Sequence, residues 1–452
     1  MTIIDDMNQL GAQARAAARA LALATDAAKS HALTAAAAQL RASVPLILAE
    51  NAKDMAAASH LSPAMRDRLA LDENRIEAMA KGLETVAGLP DPVGRVLSAW
   101  DVAHNGLHIE KIAVPLGVIG IIYESRPNVT ADAAAIALKA GNAVILRGGS
   151  ESFHSARAIL AAIHAGLAAA GLPATAAQLV PTTDREAVAH MLTMTDSIDV
   201  IIPRGGKSLT ERVKNEARVP TLLHLDGNCH MFIDASAEAD LAERLVLNAK
   251  LRRTGICGAL ESLLIHRECL GVSLRAERGN PAKTTSEDWM ASASPRHDKE
   301  SASTAARLIS ALLARGCELR GDAAIQALDA RVIPATEEDW STEYLAPILA
   351  VKVVDGLEDA IAHINRYGSH HTDAIVTRDT ANAERFSREV ESAIVLVNAS
   401  TQFADGGEFG FGAEIGIATG KLHARGPVAA AELTTYQYRV TTANPEGAVR
   451  AG

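Results

Sequence analysis

Cysteine is scarce. The chain has four in 452 residues, Cys229, Cys257, Cys269 and Cys317, too few for a disulfide framework. No Cys-x-x-Cys pair is present to hold a structural zinc, and the adjacent His370 and His371 have no third ligand at metal-like spacing. That histidine pair is expected in a surface loop, no metal site is expected, and a reduced, cytoplasmic chain fits this cysteine usage. Basic excess is also missing. Lys and Arg total 44 against 54 Asp and Glu, a net charge of −10, so nothing supplies a basic surface in bulk and no nucleic-acid partner is expected. No apolar run approaches the roughly 18 residues that span a bilayer. The opening "MTIIDDMNQL" lacks the basic-then-apolar order of a signal peptide, so no membrane association is expected.

What is present is ordinary globular composition, 48% hydrophobic and 22% charged. At about 100–200 residues per domain the length suggests two or three domains. Residues 7–60 are rich in alanine, with apolar positions at three- and four-residue spacing and interspersed charges. This predicts a helical N-terminal region through about Ala87, broken by "GLPDPVG". From Ile112 the rhythm alternates. "IAVPLGVIGIIYE" reads as a strand or strand pair, "TADAAAIALKAG" as a helix, "NAVILRGG" as a buried strand, and the pattern repeats through "SIDVIIPRGG" and "KSLTERVKNEA". Strand and helix joined by short links mark parallel βαβ units, whose ligands collect at the carboxyl ends of the strands. A second alternating series runs from about Leu222 to "SAIVLVNAS". Residues 273–303 interrupt it with a polar, Ser- and charge-rich stretch that reads as a solvated insertion.

Two strand ends are suited to phosphate. "PRGGKS" is not a P-loop, because the required first glycine would fall at Ile201. Gly205 and Gly206 nevertheless open a helix beside Arg204 and Lys207, which suits a nucleotide phosphate or is a plain turn. In "LRGGSES", Arg147 could meet a 2′-phosphate, with Ser150 as a hydrogen-bond donor. No Gly-x-Gly-x-x-Gly follows the first strand, so any dinucleotide site is a variant one. Cys257 lies between Gly255 and Gly258 with Arg252 and Arg253 upstream. Those neighbours would favour a thiolate, so on these features Cys257 is either a nucleophile or the buried small hydrophobe that most free cysteines are.

The stretches "VPLGVIGIIYESRPNVTADAAAIALKAGNAVILRGGSES", "NAKLRRTGICGALESLLIH", "HTDAIVTRD", "VNASTQFADGGEFGFGAEIG" and "KLHARGP" together resemble the gamma-glutamyl phosphate reductases of the aldehyde dehydrogenase superfamily. The resemblance runs over nearly the whole chain, with the 273–303 insertion as its clear departure. It implies an α/β, aldehyde-dehydrogenase-like fold of two Rossmann-like domains with a small β oligomerisation arm. Residues 1–104 and 113–224 would form the NADP-binding domain, 225–426 the catalytic domain, and 105–112 with 427–441 the arm. The implied reaction is reduction of L-glutamyl 5-phosphate to glutamate 5-semialdehyde and phosphate by NADP(H), in proline biosynthesis. Cys257 matches the nucleophile, and Asn128 with the backbone N–H of Cys257 the oxyanion donors. Arg147, Ser150, Arg204, Gly205, Gly206 and Lys207 match cofactor contacts, and Glu343 the glutamate on the nicotinamide ribose. Arg253 is placed at the leaving phosphate, and Ser400 and Thr401 at the amino-acid end of the substrate. Hydrolytic relatives read Glu-Leu-Gly-Gly-Lys where this chain reads "HLDGN", so His224 replaces the water-activating carboxylate. A homo-oligomer and a functional association with glutamate 5-kinase are also implied. Three rival readings remain: a dehydrogenase acting on another acyl donor, a cysteine transferase or amidohydrolase, and a non-catalytic scaffold.

Overall fold

The computed structural model describes residues 2–223, 226–271, 303–444 and 447–449. His224 and all of the 273–303 insertion except Ser303 lie outside the described residues. The chain divides into two compact units, Met1–Leu225 with Ala404–Gly452, and Asp226–Phe403.

The first unit begins with five helices, Ile3–Ala22, Asp26–Ala42, Val44–Ala57, Pro63–Leu69 and Glu73–Ala87, as the alanine-rich periodicity predicts. Four of the five start under a short polar side-chain cap, and Val44–Ala57 is the exception. Thr25 accepts from the Ala28 N–H at 3.2 Å and Asp72 from Arg75 at 2.7 Å, which satisfies amides the helix itself leaves open. Small residues let the helices approach closely. A side chain added at Gly166, in the helix Phe153–Ala169, would sit 2.3 Å from the Ala32 carbonyl. Lys139, fully buried, is neutralised by Asp26 at 2.5 Å and donates to the Ala87 carbonyl at 3.0 Å. Among the described residues no single helix is long and apolar enough to cross a membrane.

These helices cover a parallel sheet of four strands in the order Ala177–Leu179, Ala143–Arg147, Val118–Tyr123, Val200–Arg204. The central strands are buried on both faces, which is why they read as continuous apolar runs. A separate antiparallel sheet joins Val96–Val102, Leu107–Pro115 and Thr434–Thr442. The expected arm at 105–112 and 427–441 is therefore larger, because the hairpin's first strand starts at Val96.

The second unit carries a parallel sheet of seven strands. Their order is Ile333–Pro334, Glu318–Gly321, Ile348–Val354, Leu260–His266, Cys229–Ile233, Thr372–Val376, Ile394–Val397. This unit ends at Phe403 and not at 426 as the sequence suggested. The reason is packing into the first unit. Gly416–Ala418 zips antiparallel onto Gly426–Val428, and Ile415, Ala418 and Val428 enter the core of the first unit.

Candidate active site

In the first unit the carboxyl ends of the parallel strands gather the residues expected at a cofactor. Arg147 ends its strand with only 7% exposure. Its Nη2 donates to the Thr183 carbonyl at 2.9 Å and its Nη1 to the Gly148 carbonyl, while its buried Nε has no hydrogen-bond partner among the described residues. Burial lowers its pKa from the ordinary guanidinium value, opposed by the nearby Glu151 carboxylate. Ser150 donates to Glu151 at 3.2 Å, and Ser125 donates to the other oxygen of the same carboxylate. Gly205 and Gly206 are exposed at the end of Val200–Arg204, and the helix Lys207–Glu216 starts there without a side-chain cap. Instead the Glu124 carboxylate accepts the Gly206 N–H at 2.8 Å.

The set fits a nicotinamide dinucleotide. An orphaned guanidinium nitrogen is available at one strand end and open glycine backbone at another. Glu124 and Glu151 add carboxylates that suit ribose hydroxyls rather than phosphate, so a phosphate at Gly206 must displace Glu124.

Asn128 heads the helix Val129–Lys139, and its Nδ2 donates to Asp132 at 2.9 Å. A primary amide carries two N–H groups. Asp132 takes one of them and fixes the plane of the amide. Burial pushes the Asp132 carboxyl up to about 6, with the Asn128 bond and the Arg204 charge opposing.

In the second unit Cys257 lies between the helix Ala239–Leu251 and the strand Leu260–His266, at the amino end of that strand. Of the four cysteines only Cys257 is not buried. Burial pushes the Cys269 and Cys317 thiols up to about 11 and the Cys229 thiol well above its ordinary value, which suits them to packing. The Cys257 loop is held from beneath. Cys229 donates its S–H to the Cys257 carbonyl at 3.1 Å. Gly227 lies so close that a Cβ there would stand 2.1 Å from the Cys257 carbonyl oxygen and 2.7 Å from its Cα. Gln402 ties the loop's base, donating to the Ala249 and Arg253 carbonyls at 2.8 and 3.1 Å and accepting from Arg252 at 3.2 Å.

Of the residues expected at the substrate, Arg253 is exposed, whereas Ser400 and Thr401 are buried. The Ser400 hydroxyl accepts the Gln402 N–H at 3.3 Å, and the Thr401 hydroxyl has no hydrogen-bond partner among the described residues. Glu343 is half-buried, just ahead of the strand Ile348–Val354. One expectation fails outright. His371 is fully buried and not in a surface loop, because it leads into the buried strand Thr372–Val376, where its Nδ1 lies 2.9 Å from the Thr372 hydroxyl and 3.7 Å from the Cys229 sulfur.

Reading from sequence missed Gly227, Cys229, Gln402, Asp132 and the two glutamates at the strand ends. For Asp132 a signal exists, since it lies four residues after Asn128, on the same face of a helix.

Comparison with known proteins places the chain in a family. The model of the aldehyde dehydrogenase family matches residues 4–414. The chain is 58% identical to the gamma-glutamyl phosphate reductase of Paramagnetospirillum magneticum, over 99% of this chain and 98% of the relative. It is 55% identical to that of Parvibaculum lavamentivorans, over 96% of each. The crystal structure of gamma-glutamyl phosphate reductase from Thermotoga maritima superposes with a TM-score of 0.88 at 39% identity, covering 99% of this chain and 100% of that one. The chain therefore belongs to the aldehyde dehydrogenase family, in the branch formed by the gamma-glutamyl phosphate reductases.

Proposed function

We propose that this chain reduces L-glutamyl 5-phosphate to L-glutamate 5-semialdehyde with release of phosphate, the second step of proline biosynthesis, through a thioester on Cys257. The observation that carries the reading is the full-length identity to proteins named for that reaction, together with a single non-buried cysteine in the loop expected to hold the nucleophile. The Cys257 thiolate attacks the acyl carbon. A carbon–sulfur bond forms, the carbon–oxygen bond to phosphate breaks, and Arg253 is suited to the departing dianion. NADPH, when bound, supplies the hydride that turns the thioester into a thiohemiacetal. The carbon–sulfur bond then breaks, releasing the aldehyde and regenerating the thiolate. Negative charge develops on the substrate oxygen in both directions. The second amide N–H of Asn128 and the backbone N–H of Cys257 suit it, and Asp132 keeps the Asn128 amide in place. Arg147, Ser150 and the Gly205–Gly206 backbone are suited to the dinucleotide, and Glu343 to its nicotinamide ribose.

Specificity for phosphate follows from the residue at position 224 of the sequence. A carboxylate poised there would activate water and waste the acyl group, and His224 stands in its place in the sequence. Phosphate is already an anionic nucleophile and needs no such base. In the oxidative direction, NADP reduction with glutamate semialdehyde is expected to depend on phosphate, with simple aldehydes turning over at least about 100-fold more slowly. Steady turnover of simple aldehydes without phosphate would instead mark a hydrolytic dehydrogenase.

The three-stranded sheet fits a second copy of this chain. Val96, Leu97, Trp100, Tyr436, Tyr438 and Val440 are exposed along it, and Trp100 stacks edge-on to Tyr438 at 6.2 Å. Exposed aromatic and aliphatic side chains gathered on one small sheet suit an interface. Light scattering is expected to give a mass of at least two chains for the wild type and a lower mass for Trp100→Glu/Val440→Glu. A single-chain mass for the wild type would remove the assignment.

A further inference from the structure

Two opposite charges, sealed from water, bracket the nucleophile loop. Lys250 lies in the last turn of the helix Ala239–Leu251 and Glu261 near the start of the strand Leu260–His266. Both side chains are 0% exposed, and Nζ meets Oε2 at 2.5 Å. Cys257 lies between them in sequence, so the pair closes the base of its loop. The other oxygen, Oε1, accepts the Leu345 N–H at 3.3 Å, two residues beyond Glu343. Leu345 has φ of +53°, a left-handed conformation that a leucine holds only when its surroundings enforce it. The Lys250 ammonium also lies 5.9 Å from the ring centre of Tyr344. One carboxylate thus joins the segment that carries the thiol to the segment that carries Glu343.

Stability alone does not account for such a pair. Taking two charges out of water carries a large penalty, and apolar residues of similar volume often serve a core as well or better. Burial pushes the Glu261 carboxyl up to about 7, with the Lys250 charge opposing and Glu343 adding to the rise. What an apolar pair cannot supply is a directional link among helix end, strand start and the Leu345 amide.

We infer that Glu261, held by Lys250, is a positioning residue that sets the Cys257 loop and the Glu343 segment in one register for the chemical step. This rests on Cys257 being the nucleophile. The test uses the full chain with Lys250→Met/Glu261→Leu and with Glu261→Gln, which keeps an acceptor for Leu345. The readouts are kcat and KM for glutamate semialdehyde at saturating phosphate, the rate of Cys257 alkylation by iodoacetamide, and Tm. In the double variant kcat is expected to fall at least about tenfold with KM within about twofold, and the alkylation rate to change at least about threefold. Its Tm is expected to stay within about 5 °C of wild type, and Glu261→Gln to fall between the two proteins. Folded variants with wild-type kcat and alkylation overturn the inference, as does a lower Tm with unchanged turnover per folded molecule. If the double variant does not accumulate, Glu261→Gln decides by the same readouts. Turnover by Cys257→Ser would be a different failure, that of the nucleophile assignment itself.

Discussion

Cys257→Ser is expected to lower kcat by at least about 10³-fold while leaving NADP(H) affinity within about twofold. A serine hydroxyl has nearly the size of the thiol, so the loop over Gly227 and Cys229 should keep its path. What is lost is the soft, polarisable sulfur nucleophile and the leaving group that sulfur provides when the aldehyde departs. No other cysteine can substitute, because the remaining three are buried and their thiols pushed upward. Stopped-flow NADPH formation in the oxidative direction, with fluorescence titration of cofactor binding, checks both halves of the expectation. Wild-type turnover by the serine variant would take Cys257 out of the mechanism.

Gly227→Ala is the second large effect. The positive-φ glycines of this chain do not include Gly227, so an alanine is not refused by its own backbone. It is refused by a neighbour. The new methyl would stand 2.1 Å from the Cys257 carbonyl oxygen, 2.7 Å from its carbonyl carbon and 2.7 Å from its Cα, all backbone atoms that cannot rotate away. Relieving the clash must push the Cys257 backbone outward or the strand start inward, and it pulls apart the bond from Cys229 to the same carbonyl. A displacement of about 1 Å at a reacting group lowers rates by about 100-fold, which is the fall in kcat expected here. A Tm lower by several degrees should accompany it. A variant within about threefold of the wild-type kcat would mean that the Cys257 loop is not held at this contact.

The alternation of elements was legible because parallel strands buried on both faces leave unbroken apolar runs, as in "VIGIIY" and "AVILR", bounded by helix-forming stretches. The N-terminal helices were legible to within a residue of Ala87 because alanine spacing and propensity agree there. The first strand of the arm was missed although the Asn105-Gly106 dipeptide, with Gly106 at φ +68°, is a hairpin signal in its own right. The boundary at Phe403 had no local signal, since it depends on Ile415 and Ala418 packing into the core of the first unit. The cysteine was legible from its glycines and from family resemblance. Its supports were not. Lys250 and Glu261 read as ordinary polar residues at the end of a helix and the start of a strand, and only the folded chain brings them to 2.5 Å. Nothing in the sequence singles out Gly227, and His371 looked solvated beside His370, because burial at a strand start is decided by the neighbouring strands.

The central claim is that an acyl group waits on Cys257 until phosphate takes it. Rapid mixing of the enzyme with NADP and glutamate semialdehyde in the absence of phosphate tests it most directly. The expected result is a burst of one NADPH per active site and then a stall, with Cys257 carrying the acyl mass and turnover resuming when phosphate is added. Continuous NADPH formation without phosphate, or a burst with no acyl group on Cys257, would contradict it.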